Sequence, residues 1–276
     1  MKRYFIDTRT MGMVVILACL YFVTRLVNIT ALPIFTDEAI YIRWSQIGAS
    51  DAAWRFISLT DGKQPLFTWF VMGFLRIFDD PLFAGRAVSV FAGTCTAIGI
   101  GALSWLLFRN KTFAFVAVFL YIISPFSLMY DRLALYDSLV AALYVWNLYL
   151  SVLLVYTVRL DVALILGMVL GLGLLNKSSA YFSLVLLPIT LFLFDWNTKE
   201  RGKRFITWVL FVCVAAVISQ ALYAVLRLSP FFHMIGLKNE VFIYSLQEWI
   251  NHPFRFFVGN IRGLFDWATH YLTYPI

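Results

Sequence analysis

Residues 13–21, 114–123, 139–158 and 205–226 run with few or no charges, and this feature most limits what the chain can become. Apolar stretches of that length and frequency read as membrane-crossing helices. Composition agrees: 13% of the 276 residues are charged, against 62% hydrophobic and 18% aromatic, with 27 phenylalanines. A water-soluble domain of this length needs far more polar surface. The expected fold is an all-α integral membrane protein.

Topology follows from length and charge. The run 66–78 would make a helix of about 20 Å at roughly 1.5 Å per residue, short of the roughly 30 Å hydrocarbon layer. Treated as interfacial or re-entrant, it leaves about seven spans: 12–29, 84–108, 112–126, 138–158, 162–176, 181–194 and 205–226. Lys2, Arg3, Arg9, Arg109, Lys111, Arg159, Lys199, Arg201, Lys203 and Arg204 then share one side with only Asp7, Asp161, Asp195 and Glu200. Short loops rich in Lys and Arg stay in the cytoplasm, so the N-terminus is expected inside; the membrane itself is expected to be the plasma (inner) membrane. The +7 net charge therefore marks orientation, and no nucleic-acid partner is expected. Gly93, Ala97 and Gly101, and also Gly167 and Gly171, are spaced for close helix contacts.

Two long segments, 30–83 and 227–276, fall outside. Their density of aromatics suits interfacial helices. The chain is expected to be one domain, a seven-span core at 1–226 followed by the outer segment 227–276. Because it stops there without a return span, it is expected to be a fragment, a truncated frame or a minimal version. Cys19, Cys95 and Cys213 lie in apolar runs and read as packing residues.

The same threading brings Asp37, Glu38, Lys63, Asp131, Arg132, Asp137 and Lys177 to one face. Charges beside hydrocarbon are costly, so their gathering is a functional-site hypothesis. In Phe35-Thr36-Asp37-Glu38-Ala39, Thr36 or Asp37 is expected to cap a helix. A carboxylate at this level could also take a proton from a nucleophile. In Asp61-Gly62-Lys63-Gln64-Pro65-Leu66, glycine and proline suggest a fixed turn that holds Lys63 at headgroup height, either snorkelling or gripping a lipid phosphate. Asp131 and Arg132 could pair with each other across the turn before Asp137. No phosphate loop of the Walker type, nucleophile elbow or metal-ligand spacing occurs. Neither a cofactor nor a metal is assigned, a divalent ion being conceivable but unsupported.

The order of these features resembles the GT-C-fold glycosyltransferases, in particular the protein O-mannosyltransferase and lipid A aminoarabinose transferase branch. The Asp-Glu pair after the first span, the Lys-x-Pro before a short helix, Tyr-x-Arg-x-Ala-x-x-Asp in the next outer turn and a lysine after a Gly-rich span carry the resemblance, over residues 1 to about 226. It implies a sugar transfer from a polyprenyl-phosphate carrier, drawn from membrane lipid, to an unknown extracytoplasmic acceptor on protein, lipid or glycan. It places Asp37 as the catalytic carboxylate with Glu38 beside it, Lys63 on the carrier phosphate, and Asp137 with Arg132 in the second motif. Lys177 matches the later lysine, Asp131 is secondary, and Lys-Gln-Pro departs mildly from the usual motif. Arg86 or Arg132 would help neutralise the phosphate. A base and direct displacement imply inversion. The alternatives are a transporter or flippase for lipid-linked sugars, which calls for deep ionisable residues or inverted repeats, and a non-catalytic membrane protein.

Overall fold

The computed structural model describes residues 7–242 and 244–272, so Lys2 and Arg3 lie outside the described residues. Among the described residues every regular element is helical. The order is α1 (Thr8–Leu26), α2 (Thr36–Ser50), two 3-10 turns, α3 (Leu66–Phe74), α4 (Pro81–Phe108), α5 (Lys111–Ile123), α6 (Pro125–Tyr130), α7 (Tyr136–Thr157) and α8 (Leu160–Asn176). Then come α9 (Tyr181–Leu186) between 3-10 turns, α10 (Arg201–Tyr223), α11 (Met234–Phe242), α12 (Leu246–Asn251) and α13 (Phe257–Leu272).

Each stretch expected to span coincides with a helix or helical run. Four are long and apolar enough to cross a bilayer by themselves: Thr8–Leu26, Pro81–Phe108, Tyr136–Thr157 and Arg201–Leu228. The other three, Lys111–Ile123, Leu160–Asn176 and Ser178–Leu193, are shorter. Ser178–Leu193 changes from 3-10 to α and back to 3-10, with Pro188 inside the last part. Because a 3-10 helix rises about 2.0 Å per residue, this segment reaches about 29 Å rather than the roughly 24 Å of an α-helix of equal length.

Neighbouring helices pack as a row, α1 on α5, α5 on α4, α4 on α7, α7 on α8 and α8 on α10. The α8–α10 contact rests on two glycines one turn apart. A Cβ on Gly167 would lie 2.8 Å from the Ala215 carbonyl oxygen, and one on Gly171 would lie 2.5 Å from Leu222. This is the close approach the spacing predicted. Gly167→Leu should therefore separate the two helices and lower the unfolding temperature in detergent. An unchanged transition would show that the contact carries little stability. Cys95 is half-buried, whereas Cys19 and Cys213 are exposed. The packing role expected for those two is not what the bundle shows, since they lie on outward helix faces.

Helix α3 has nine residues and buries Leu66, Phe67, Thr68 and Val71 against α2 and α4. At about 14 Å it cannot cross a bilayer. It closes one end of the bundle, where the C-termini of α1, α5 and α8 meet the N-termini of α4 and α7. The last segment packs α11 onto Ile57–Asp61, while α13 carries Phe257, Ile261, Leu264 and Phe265 along one face. Among the described residues of this segment no helix is both long and apolar enough to cross by itself.

Candidate functional site

Charges at the closed end separate into two buried ion pairs and an exposed set. The first pair joins Glu38 and Arg86. Arg86 Nε donates to Glu38 Oε1 at 2.9 Å and Arg86 Nη2 to Oε2 at 2.8 Å, with both side chains 0% exposed. Each carboxylate oxygen takes a second proton donor: Ala134 N at 2.7 Å on Oε1 and Phe35 N at 2.9 Å on Oε2. The remaining Arg86 protons go to the carbonyls of Ile29, Leu32 and Pro33. Burial pushes the Glu38 carboxyl up, but Arg86 and the two backbone N–H groups outweigh it and hold it below its ordinary value of 4.5.

This geometry revises two expected roles. Glu38 was expected beside the catalytic carboxylate and Arg86 near the phosphate, yet both have their hydrogen-bonding positions filled by protein. They fasten the start of α2 to α4, to the 29–33 loop and to the turn before α7. The expected cap also differs: α2 begins at Thr36 with Phe35 as its cap, so neither Thr36 nor Asp37 fills that position.

The second buried pair is Arg25 with Asp131, at 3.5 Å. Asp131 accepts from Tyr121 at 2.9 Å and from Ser138 at 3.1 Å, and Arg25 donates to the Ile122 carbonyl and Ser127. The alternative pairing of Asp131 with Arg132 does not form. Arg132 turns the other way, its Nη2 donating to the carbonyls of Val27 and Asn28 at 2.8 and 2.9 Å. A guanidinium there satisfies the carbonyls left open at the end of α1 and opposes the negative end of its dipole.

The exposed set surrounds Tyr41. Lys63 Nζ lies 3.0 Å from the Tyr41 hydroxyl, 3.5 Å from Asp61 and 3.9 Å from Asp37, and it sits over the Tyr41 ring at 4.8 Å. Lys177 Nζ lies 3.3 Å from Asp137. Side-chain exposure is 28% for Lys63, 45% for Asp37, 48% for Lys177 and 40% for Asp137, so these groups remain open to a ligand. The two ion pairs belong to one patch, because their chain neighbours touch: Gln64 beside Lys63 bonds Ser178 beside Lys177, and Tyr41 meets Tyr136 beside Asp137. Burial first, then the charges of Asp37, Asp137 and Asp61, raise the Tyr41 phenol well above its usual value. The Tyr41 ring also packs edge-on against Tyr136 at 4.7 Å, and Gln64 donates to Ser178 at 2.6 Å.

Local sequence explains why these residues are held. Asp37 and Tyr41 are four apart on α2 and share a face. Gly62 adopts φ 68°, a left-handed conformation that glycine enters without strain. A Cβ there would lie 2.6 Å from the Met234 carbonyl, so the same glycine lets α11 dock. The turn then closes with Lys63 N donating to the Ser58 carbonyl at 3.1 Å. This is the fixed turn expected around Lys63. From α11, Lys238 reaches Asp61 at 2.8 Å.

Tyr41, Asp61, Lys238 and Arg25 were not singled out by the sequence reading. Asp61 stands in the quoted turn, and Tyr41 follows Asp37 at helical spacing. Arg25, a charge in the last turn of an apolar helix, carried the signal that ionisable residues at membrane depth always carry. Lys238 had none, because its partner is 177 residues away. Among the described residues no group of three or more His, Cys, Asp or Glu is placed to hold a metal ion.

The family model described as dolichyl-phosphate-mannose-protein mannosyltransferase matches residues 62–223. That stretch runs from the turn before Lys63 to the end of α10, and it includes Arg86, Asp131, Arg132, Asp137 and Lys177. No curated protein and no solved structure gave a match.

Proposed function

Because the chain belongs to the dolichyl-phosphate-mannose-protein mannosyltransferase family, we propose that it moves a sugar from a polyprenyl-phosphate carrier to an extracytoplasmic hydroxyl, inverting the anomeric carbon. Family membership supports a mannosyltransferase-type glycosyltransferase in a membrane, using a lipid-linked sugar. The observation that carries the assignment of residues is one half-exposed patch, in which the Lys63–Asp37 and Lys177–Asp137 pairs are joined through the Gln64–Ser178 hydrogen bond and the Tyr41–Tyr136 ring contact.

In this reading the carrier phosphate lies against Lys63 and Lys177. The bond between the anomeric carbon and the phosphate oxygen breaks, and its electron pair stays on the phosphate. Two ammonium groups in a partly dry setting stabilise that charge. The acceptor hydroxyl attacks the opposite face of the sugar and gives its proton to Asp37, whose half-exposed carboxylate is left free when Lys63 turns to the phosphate. Asp137 holds Lys177 in place and contacts sugar hydroxyls. Glu38 and Arg86 act at a distance, setting the position of the first turn of α2 and so of Asp37. The site faces the extracytoplasmic side of the plasma membrane, with seven spans and an internal N-terminus. The last segment lies in the headgroup layer.

A transporter would need ionisable residues along a path through the bundle. The buried ionisable pairs lie at helix ends beside the patch, not along a path through the bundle.

Proteoliposomes supplied with polyprenyl-phosphate-mannose and an extract of candidate acceptors test the reading through release of free polyprenyl phosphate. Lys63→Ala should raise the KM for the donor about ten-fold or more while changing acceptor dependence little. The opposite split would remove Lys63 from the phosphate role. Absence of any donor cleavage by the unaltered protein would count against the transferase reading as a whole.

A further inference from the structure

Away from the site, α1 barely touches the bundle. Its only buried residues are Tyr21 and Arg25, both in the two turns nearest the site. Further along, Leu17 and Leu20 pack on the cluster that includes Val90 and Ile122, and Lys111 bonds Thr10 at the helix start. Between these contacts an open, lipid-facing cavity of about 550 Å³ separates α1 from α4 and α5. The walls are almost wholly apolar, with Ala18, Gly101 and Ala114 making room. Close packing is the rule for protein interiors, and a gap this size forfeits dispersion contacts unless something fills it. In a bilayer the filler is hydrocarbon.

One end of the cavity differs from the rest. Lys111 and Thr10 line it there, and Arg9 and Arg109 are exposed on the adjoining helix ends. Asp7 pairs with Lys111 there at 3.2 Å. Both partners are about half-exposed, and surface pairs of this kind are weak, so a phosphate can share the lysine. An apolar slot with a net positive mouth at membrane-surface height has the chemistry of an anionic lipid site.

We propose that this cavity binds one anionic glycerophospholipid from the leaflet opposite the catalytic patch. An acyl chain lies between α1, α4 and α5, and the headgroup phosphate rests on Lys111, Arg109 and Arg9. The lipid fills the space that α1 leaves open and holds that helix against the bundle. This site is separate from the patch around Tyr41, and its test does not depend on catalysis.

Native mass spectrometry of the purified full chain, given phosphatidylglycerol and phosphatidylcholine with identical acyl chains, provides the test. The expected result is preferential retention of phosphatidylglycerol. Removing basic side chains should weaken that preference by about five-fold each, so Lys111→Gln with Arg109→Asn should nearly abolish it. Ala18→Trp, at an exposed position on the cavity wall, should remove retention of both lipids while leaving thermal unfolding in lipid-free detergent unchanged. Equal retention of the two lipids by the unaltered protein would overturn the proposal. So would undiminished retention by Ala18→Trp, or displacement of the lipid by glycerophosphoglycerol, which has the headgroup without chains.

Discussion

Asp37→Asn is expected to lower sugar transfer by roughly a hundred- to ten-thousand-fold, the range for loss of a positioned general base, with donor affinity nearly unchanged. The substitution keeps size and polarity and removes only the ability to take a proton. Asp37 is half-exposed, and its partner Lys63 stands 3.9 Å away with Tyr41 and Asp61 nearer. The lysine therefore keeps its position when the carboxylate goes. The measurement is single-turnover release of polyprenyl phosphate, alongside binding of the donor at equilibrium. Transfer within a few-fold of the unaltered protein would place the base elsewhere.

The second large effect concerns stability. Arg86→Met leaves the Glu38 carboxylate buried and without its charge partner, a class of change that costs about 3–5 kcal/mol. Expression in the membrane and the unfolding temperature in detergent should both drop sharply. Combining Glu38→Gln with Arg86→Met should recover much of the loss. The amide oxygen still accepts a backbone proton, and no buried charge remains unpaired. The pH dependence has a definite sign. The Glu38 carboxyl is held below its ordinary value of 4.5, so its stabilising contribution is complete above that pH and is lost as pH falls towards the lowered value. Arg86→Met should lose that acid-side dependence. If the single and double variants unfolded alike, the pair would not be the fastener described here.

The helical bundle was legible because it follows from local chemistry. Charge-free runs mark helices, and the charges between them mark their ends. The short helix α3 could be recognised by length alone, and Gly167 and Gly171 announced the α8–α10 contact by their spacing. The common end of the bundle was also accessible, since alternate helix ends must share a side. Division of labour among the charges was not. Glu38 and Arg86 are 48 residues apart, and Arg25 and Asp131 are 106 apart. Which acid meets which base, and which charges stay in contact with solvent, depends on helix rotation and packing depth. Neither quantity is written in a residue's neighbours. Asp37 and Glu38 illustrate this: two adjacent acids at the start of one helix, of which one lies at the surface and the other is sealed inside. A turn of about 100° between successive residues makes that difference.

The most direct test of one shared donor site is photocrosslinking with a polyprenyl phosphate that carries a photoreactive group next to the phosphate. Mass spectrometric mapping should find adducts on the α2 face bearing Tyr41, on the turn at Lys63, and near Asp137 and Lys177. Unlabelled polyprenyl-phosphate-mannose should suppress them. Adducts confined to other surfaces, or labelling at Lys63 and Lys177 from opposite sides of the membrane, would contradict the account.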